Sequence, residues 1–292
     1  MDLSVIIVNF NVYDDVLVCI ESINKYFSNT ELEIIVVDNN STERSIDNLN
    51  EVFRDVKLIK LDSNRGFGAA NNEAMKIASG KYFFLVNPDI IFQDGTSIEM
   101  IKFLEENLKI GTVGPVQFKP GAGVEYYYTF FPSLYSRFAQ EFGFYMTAPV
   151  MKQRFFSFWD RGIEANVPFR VDWVMGSTLM LRREIYDKLG GFNEAFFLYE
   201  EETEWQYRMN KAGWEAWIYP KSKVIHNHHS SSGKLGQLFV HYHEFRSRII
   251  FSNLHDMFFK RVMRTITVSF ALILRILVNF VKYLFSRNQN YM

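Results

Sequence analysis

The sequence is poor in cysteine and carries almost no excess charge. Cys19 is the only cysteine among 292 residues, which excludes an intramolecular disulfide and a cysteine-based zinc site, and fits a reducing compartment. The 33 acidic and 32 basic side chains leave a formal charge of −1, whereas a general nucleic-acid binder would carry a basic excess. We therefore expect no nucleic-acid partner.

The N-terminus also lacks the features of a leader. It reads MDLSVIIVNF, in which no basic segment precedes the apolar run and the run is too short for a signal peptide. These residues predict a first β-strand, and we expect a cytoplasmic protein. The length, with 48% hydrophobic residues, suffices for one large domain or for one domain with an appendage.

The first ninety residues contain a regular alternation of strand and helix patterns. Runs of β-branched and aromatic residues predict strands buried on both faces, and capped stretches between them predict helices. The strands are SVIIV at 4–8, EIIVV at 33–37, VKLIKL at 56–61 and YFFLV at 82–86, and the helices are 14–27, 41–53 and 68–80, the last closed by Gly80. This alternation predicts an α/β fold with a mostly parallel sheet.

Polar side chains follow three of these strands. Asn9 comes after the first strand, Asp38 after the second and Asp89 after the fourth. Ligands of parallel sheets bind beyond the carboxyl ends of the strands, so we expect the three residues in one crevice. The segment GFGAAN at 66–71 approaches a dinucleotide fingerprint but lacks its third glycine. Either a phosphate binds at this helix start, or the glycines only make a turn.

The middle of the chain is irregular and rich in aromatic residues. Between residues 111 and 170 it contains EYYYTFFPSLYSRF and RFFSFWDRG. This segment is interpreted either as a hydrophobic cluster under a long excursion or as a mobile, aromatic-lined acceptor region. Regular patterns then return, with a strand near 177–181, a short helix closed by Gly190 and a helix ended by Gly213.

Four carboxylates stand within five residues of the segment FFLYEEETEW, at 196–205. Acidic residues in a first helical turn suit the helix dipole, which accounts for some of them. Neighbouring negative charge and apolar side chains also raise the pKa of a carboxylate. The segment therefore predicts a general base.

Seven segments in this order resemble family-2 glycosyltransferases, and most closely their rhamnosyltransferase-like branch: SVIIVNFN, EIIVVDNNS, NRGFGAANNEA, FFLVNPD, VDWVMGSTLMLRRE, GGFNEAFFLYEEETEW and VIHNHHSS. The resemblance implies a GT-A (Rossmann-like) catalytic domain over residues 1–250, with a mixed, mostly parallel sheet flanked by helices. It also implies a nucleoside-diphosphate sugar donor, Mg²⁺ or Mn²⁺, and inversion at the anomeric carbon. Within this domain, residues 111–170 would form the acceptor-side excursion.

The resemblance assigns several residues to the donor and the metal ion. Donor contacts would come from Asn9, Asp38, Asn64, Arg65, Gly66, Asn72 and Asn87. The family's D-x-D motif reads Asn87-Pro88-Asp89, so Asp89 would be its one carboxylate ligand, with donor phosphates and water completing the shell. A Pro-Asp turn is the alternative. His226 lies where some relatives contact the metal or the diphosphate, and a solvated loop histidine is its alternative.

The family's catalytic base is the aspartate of a Glu-Asp pair, which here reads Glu201-Glu202. We predict that Glu202 takes the proton from the acceptor hydroxyl, with Glu201 as the alternative. Asp172 and Trp173 lie where the family lines the acceptor side, although core packing also explains Trp173. The reaction would transfer a single sugar, with rhamnose as the candidate, to a saccharide or lipid-linked saccharide in cell-surface polysaccharide synthesis.

Residues 251–292 predict C-terminal amphipathic helices. The apolar stretch after Arg264 is interrupted by Arg275 and is too short for a membrane span. At about 100° per residue, one side of the helix carries Arg261, Arg264, Arg275, Asn279, Lys282 and Ser286. This pattern predicts a helix lying on an anionic membrane surface, at the inner face of the plasma membrane. Packing on the catalytic domain or on a second subunit, as in a homo-oligomer, is the alternative.

Two other functions are alternatives to glycosyl transfer. A sugar-nucleotide pyrophosphorylase has a similar Rossmann-like domain, but the Gly-rich, basic phosphate loop that should follow its first strand is missing here. A catalytically degenerate scaffold bound to the membrane stays open. The first acid of the D-x-D motif is absent, and glutamate replaces the aspartate of the catalytic pair.

Overall fold

The computed structural model describes residues 1–127, 129–133, 157, 159–228 and 236–289. The chain divides into two compact units, of which the first comprises Met1–Phe131 and Phe158–Ser247 and the second comprises Pro132–Ser157 and Arg248–Met292. The first unit contains all the strands given below.

The first half of this unit has the alternation that the sequence predicts. Its elements are β1 (Leu3–Asn9), α1 (Tyr13–Tyr26), β2 (Leu32–Asp38), α2 (Leu49–Val52), β3 (Lys57–Lys60), α3 (Gly66–Ile77) and β4 (Tyr82–Val86). The four strands pair in parallel in the order β3-β2-β1-β4. All five residues of β4 are buried, as expected for a strand in the interior of a sheet with helices on its faces.

The second half of the unit extends the sheet with antiparallel pairings. Its elements are β5 (Ile90–Phe92), α4 (Glu99–Glu106), β6 (Ile110–Lys119), β7 (Gly123–Val124), β8 (Phe169–Val171), β9 (Thr178–Arg182), α5 (Arg183–Leu189), α6 (Glu201–Lys211) and β10 (Glu215–His226). Strand β9 runs antiparallel to both β4 and β6, while β10 is parallel to β6 and antiparallel to β5. Within the described residues, the result is a mixed sheet of ten strands.

The helix predicted over 41–53 is confirmed only in part, because it begins three residues later and is irregular. The structure has a 3₁₀ helix at Arg44–Asn48, followed by the single turn of α2. The two residues expected to cap the helix make other hydrogen bonds. The backbone N–H of Ser41 donates to Asp38 Oδ2 at 3.2 Å, and that of Thr42 donates to Asn11 Oδ1 at 2.7 Å. These bonds hold the chain in a loop beside the end of β1.

Gly80 does not close helix α3, contrary to the sequence prediction. The helix ends at Ile77, and Ala78 is already extended with ψ 135°. Gly80 instead lies against β1, where its N–H donates to Ser4 Oγ at 2.8 Å and a Cβ atom would come within 2.5 Å of the Ser4 nitrogen. Close backbone approach therefore requires this glycine. The predicted closures by Gly190 (φ 73°) and Gly213 (φ 92°) are confirmed.

The segment 111–170 begins with a core strand and not with an excursion. Residues 110–119 form β6, with eight consecutive buried residues. Close packing against neighbouring side chains requires the glycines that weaken its strand pattern. A Cβ atom on Gly111 would lie 2.5 Å from Ile185 Cδ1, and one on Gly114 would lie 2.3 Å from Val174 Cγ1. Residues 134–156 of the segment lie outside the described part of the chain.

The C-terminal residues form two helices, α7 (Gln237–His255) and α8 (Phe258–Gln289). None of the described helices combines the length and the hydrophobicity that a membrane crossing requires. The exposed side of α8 carries apolar side chains at helical spacing, namely Phe259, Val262, Ile266, Phe270, Ile273 and Leu277.

The prediction that Arg264 belongs to an exposed basic face is wrong. Its side chain is 3% exposed and pairs with Asp256, with 3.0 Å between Nε and Oδ2. Arg264 Nη2 also donates to the carbonyl oxygen of Pro132 at 3.1 Å. Periodicity places a residue on one side of a helix but does not say whether that side faces solvent. The side chains of Arg275, Asn279, Lys282 and Ser286 lie outside the described part.

Candidate active site

A cavity of about 330 Å³ lies at the carboxyl ends of the parallel strands. This is where open α/β sheets bind ligands, and the volume is within the range of small-molecule sites. Its lining includes Val8 and Phe10 at the end of β1, Asn64, Gly66 and Phe67 before and within α3, Asn87 to Asp89 after β4, Glu201 and Glu202 at the start of α6, and His226 and His228.

Asn9 and Asp38 lie together, as predicted from their strand ends. Asn9 Nδ2 donates to Asp38 Oδ1 at 2.9 Å and to Ser41 Oγ at 3.0 Å. Asn9 is 0% and Asp38 5% exposed, and the cavity is lined by their neighbours Phe10 and Asn39. The pair thus fixes the loops after β1 and β2, and its contact with a donor stays a prediction.

The other predicted donor residues divide into two groups. Asn64, Gly66 and Asn87 line the cavity, whereas Arg65 and Asn72 do not. Arg65 pairs with Glu73 at 2.7 Å and with Glu194 at 2.8 Å. Asn72 Nδ2 donates to the Phe192 carbonyl at 2.9 Å, and its Oδ1 accepts from the Phe192 N–H at 2.8 Å. Their side chains therefore join α3 to the segment after α5.

Gly66 has a structural role that the motif alone does not reveal. Its φ is +82°, and a Cβ atom there would lie 2.1 Å from the carbonyl oxygen of Phe197. The N–H of Phe67 donates to the same oxygen at 3.1 Å. The glycine thus lets the start of α3 touch the loop that precedes the two glutamates. The turn interpretation is supported, and phosphate binding here stays a prediction.

Asp89 is 3% exposed, and neither of its carboxylate oxygens has a hydrogen-bond partner in the described part of the chain. His226 Nε2 lies 3.4 Å from Asp89 Oδ1. The antiparallel pairing of β5 with β10 brings the two residues together, since His226 is opposite Ile90. A buried carboxylate with unused oxygens is what a cation site needs.

Glu125 was not found by sequence analysis. Its Oε2 lies 2.9 Å from His226 Nδ1, and its Oε1 lies 2.9 Å from His228 Nε2. One ligand atom from each of these three residues lies within 4.8 Å of the others. The β6–β7 hairpin places Glu125 here. In its turn the Ala122 N–H donates to the Lys119 carbonyl oxygen at 3.1 Å, and the Glu125 N–H donates to the Gln117 carbonyl oxygen at 2.8 Å. An acid two residues after a Gly-rich turn was the only local signal.

The charges of this cluster compensate one another. Burial lowers the pKa of His226, but its contacts with Asp89 and Glu125 outweigh burial and raise that pKa to about 9. Burial raises the pKa of Glu125, and the hydrogen bond with His226 brings it below its usual value. Carboxylate and imidazole ligands together suit Mn²⁺, whereas Mg²⁺ prefers oxygen ligands alone. The residues present therefore fit a divalent cation at Asp89 and His226.

The two glutamates begin helix α6 after an unusual turn. Tyr199 (φ 65°) and Glu200 (φ 69°) are both left-handed, which is uncommon for residues other than glycine. Glu201 is 3% exposed. Glu202 Oε1 accepts from the Gly176 N–H at 3.4 Å, and the Oε2 atoms of both glutamates are buried without a hydrogen-bond partner in the described part. The turn thus directs two carboxylates toward one cavity.

Burial is the main cause of the raised pKa values of both carboxylates. It raises the pKa of Glu202 to about 7, although backbone N–H groups partly offset it. Burial and the charge of Glu202 raise the pKa of Glu201 well above its usual value. Glu204 has a different role, because Arg208 Nε pairs with it at 3.0 Å inside the helix. The acidic segment therefore contains one member that is paired within the helix and two whose pKa values are raised.

Asp172 and Trp173 do not line the cavity. Asp172 Oδ2 accepts from the Phe131 N–H at 2.7 Å, and Trp173 Nε1 donates to the Phe130 carbonyl at 3.3 Å. Both residues hold the chain of the aromatic segment in place. Their contact with an acceptor stays a prediction.

The sequence matches glycosyl transferase family 2 over residues 4–190. The N-acetylglucosaminyl-diphospho-decaprenol L-rhamnosyltransferase of Mycobacterium tuberculosis is 25% identical over 223 residues, which are 70% of this chain and 69% of that protein. The low-salt glycan biosynthesis hexosyltransferase Agl10 of Haloferax volcanii is 23% identical over 257 residues, 86% of this chain and 76% of that protein.

Solved structures with the same fold include the mannosyltransferase PcManGT from Pyrobaculum calidifontis in complex with GDP-Man and Mn²⁺. It has a TM-score of 0.57 and 16% identity, covering 93% of this chain and 74% of that one. GalNAc-T7 with UDP, GalNAc and Mn²⁺ has a TM-score of 0.61 and 16% identity, and the match covers 78% of this chain but only 44% of that chain. The chain therefore adopts the GT-A fold and belongs to glycosyl transferase family 2.

Proposed function

We propose that residues 1–250 transfer one sugar, with inversion, from a nucleoside-diphosphate donor to a hydroxyl group of a saccharide. The observation that carries this proposal is one cavity lined both by Asp89, with its unused carboxylate oxygens, and by Glu201 and Glu202, with their raised pKa values. Carboxylates with different pKa values within one cavity are typical of enzymes in which one group binds charge and another transfers a proton.

Glu202 acts as the base in this proposal. Its unused Oε2 accepts the proton of the acceptor hydroxyl as the oxygen attacks the anomeric carbon, and the Gly176 N–H holds Oε1. Asp89 and His226 would hold a divalent cation, Mn²⁺ in preference to Mg²⁺, which neutralises the charge of the leaving diphosphate. Asn64 and Gly66 at the start of α3, and Asn87 after β4, bind the donor in this proposal.

The relatives suggest the chemical class of the substrates. The name of the mycobacterial relative describes transfer of L-rhamnose to a sugar linked through diphosphate to decaprenol. By that likeness we propose a lipid-linked saccharide as the acceptor and rhamnose as the candidate sugar. Solved neighbours hold GDP-Man in one case and UDP-GlcNAc in another, so the nucleotide is left to experiment.

A lipid-linked acceptor requires access to a membrane, and we propose that α8 provides it at the cytoplasmic face. The exposed apolar side chains from Phe259 to Leu277 extend over about 27 Å of helix, and no acidic residue lies between Phe258 and Gln289. With Lys260 exposed beside them, such a helix suits the interface of anionic lipid. Ile266→Asp with Phe270→Asp should abolish co-sedimentation with anionic vesicles. If the wild type binds no vesicles and the variant instead changes from dimer to monomer, the surface is a subunit interface.

The proposed activity is tested with a panel of nucleoside-diphosphate sugars and Mn²⁺. A true donor should raise the melting temperature, and addition of a lipid-linked saccharide should release nucleoside diphosphate. Donor binding without any turnover on any acceptor would favour the scaffold. Formation of nucleoside triphosphate when pyrophosphate is added would favour a pyrophosphorylase.

A further inference from the structure

The contact between Glu125 and His226 has a function that the motifs of the chain do not assign. Glu125 is 7% and His226 5% exposed, and the two are 101 residues apart in the sequence. Each nitrogen of the imidazole ring faces a different carboxylate, with Nδ1 2.9 Å from Glu125 and Nε2 3.4 Å from Asp89. The ring thus lies between Asp89, which belongs to the Asn87-Pro88-Asp89 motif, and Glu125, which does not.

We infer that Glu125 is a positioning residue for the metal ion: it accepts the Nδ1–H of His226 and so presents Nε2, beside Asp89, to the cation. This inference rests on the proposed cation site. Metal-binding histidines usually donate their second ring N–H to a carboxylate or carbonyl, which fixes the tautomer and the orientation of the ring. Here Glu125 would accept the second ring N–H, and His226 would carry the metal-binding nitrogen beside Asp89.

The distances distinguish the two nitrogens. Ligand atoms at adjacent positions around an octahedral ion are about 3 Å apart, and the Nε2–Oδ1 separation of 3.4 Å is close to this. The Nδ1–Oε2 separation of 2.9 Å is that of an ordinary hydrogen bond. Asp89 also has both oxygens unused in the described part, whereas each oxygen of Glu125 already contacts an imidazole. The cation therefore belongs on the Asp89 side of the ring.

An alternative arrangement exists on the other side of Glu125. Its carboxylate, His226 and His228 offer atoms within 4.8 Å of one another, so the three could hold an ion directly. In that case Glu125 would be a ligand in its own right. If Glu125 instead acts only through His226, its removal should have no effect once His226 is gone. A double-mutant cycle separates the two arrangements.

The experiment measures Mn²⁺ affinity of the full-length protein by the electron paramagnetic resonance of free Mn²⁺, with and without UDP. Glu125→Ala should weaken binding by about 10- to 100-fold. Glu125→Gln should lose less, because the amide oxygen still accepts from Nδ1. His226→Ala should lose at least as much as Glu125→Ala, and the double variant should be no weaker than His226→Ala.

Lys119→Met is the matched control. Its Nζ lies 3.5 Å from Glu125 Oε1, it is 45% exposed, and it does not line the cavity. The substitution removes a partner of Glu125 and leaves the contacts of His226 unchanged, so Mn²⁺ affinity should stay at the wild-type value. Melting temperatures measured without Mn²⁺ show which variants fold. If Glu125→Ala does not fold, Glu125→Gln takes its place in the comparison.

Two results would overturn the inference while leaving the proposed function intact. The first is a Glu125→Ala or folded Glu125→Gln protein that binds Mn²⁺ as tightly as the wild type. The second is a double variant much weaker than His226→Ala, which would make Glu125 a ligand. If the wild type binds no Mn²⁺ in either arm, the cation itself is removed from the proposed function, and the inference fails with it.

Discussion

Glu202→Gln should abolish sugar transfer and leave donor binding nearly intact. The amide has almost the same size as the carboxylate and keeps an oxygen for the Gly176 N–H, which lies 3.4 Å from Oε1. It cannot take a proton from the acceptor hydroxyl. Loss of a general base typically lowers the rate by about 10²- to 10⁴-fold, and we expect kcat to fall within this range.

The pH dependence follows from the environment of Glu202. Burial, with a smaller contribution from the charge of Glu200, raises its pKa to about 7 despite the opposing backbone N–H groups. The ionised form is the base, so activity should be complete above this pKa and should fall by about tenfold per pH unit below it. Because Glu200→Gln removes a repelling charge, it should move this acid limb to lower pH.

The assay compares nucleoside-diphosphate release at saturating donor with donor affinity from thermal shift. Glu184→Gln is the matched control, because it makes the same change on a side chain that is 51% exposed on helix α5. The reasoning is refuted if Glu202→Gln turns over at a near-normal rate, or if it loses donor binding and activity together. A larger loss of kcat in Glu201→Gln would move the base to that residue.

Three other changes test the remaining parts of the structure. Asp89→Ala should weaken donor binding only when Mn²⁺ is present, and equal affinity of wild type and variant in saturating Mn²⁺ would argue against the cation site. Gly66→Ala should destabilise the protein by about 2–4 kcal/mol, since its Cβ would meet the Phe197 carbonyl oxygen at 2.1 Å; Gly121→Ala, with φ +69° but open space around it, should cost only about 1 kcal/mol in chemical denaturation. Burial raises the pKa of Glu33, but hydrogen bonds from a lysine and two serines lower it to about 2. The ionised Glu33 side chain therefore stabilises the fold above pH 4–5, and this stabilisation is lost toward pH 2. Between these pH values the free energy of unfolding of Glu33→Gln should fall less than that of the wild type.

The elements that the sequence predicts well are those with local causes. Strands β1, β2 and β4 are runs of β-branched or aromatic residues, and their burial on both faces follows from that composition. Helices α5 and α6 end at Gly190 and Gly213, whose positive φ is a property of the residue itself. In each case the nearest ten residues contain the information that decides the structure.

The predictions that are wrong concern residues whose role is decided by distant partners. Gly80 and Gly114 look like breaks in a pattern, but Ser4 and Val174 are the neighbours that leave no room for a side chain. Arg264 follows the polar side of α8, yet Asp256 binds it. No periodicity within a helix can report such a partner.

The candidate site is the extreme case of this dependence, because each carboxylate obtains its chemistry from another part of the fold. Asp89 and Glu125 lie beside His226, and the antiparallel β5–β10 pairing and the β6–β7 hairpin bring these three residues together. Compensated in this way, the carboxylates keep their charge, and in the proposed site a divalent cation would take the place of the proton on His226 Nε2. Glu201 and Glu202 line the same cavity without a basic partner on their buried oxygens in the described part, so burial favours the protonated form. In the proposed reaction, identical functional groups therefore divide into charge-binding and proton-accepting members because of the strands and turns that surround them, and not because of the motifs in which they occur.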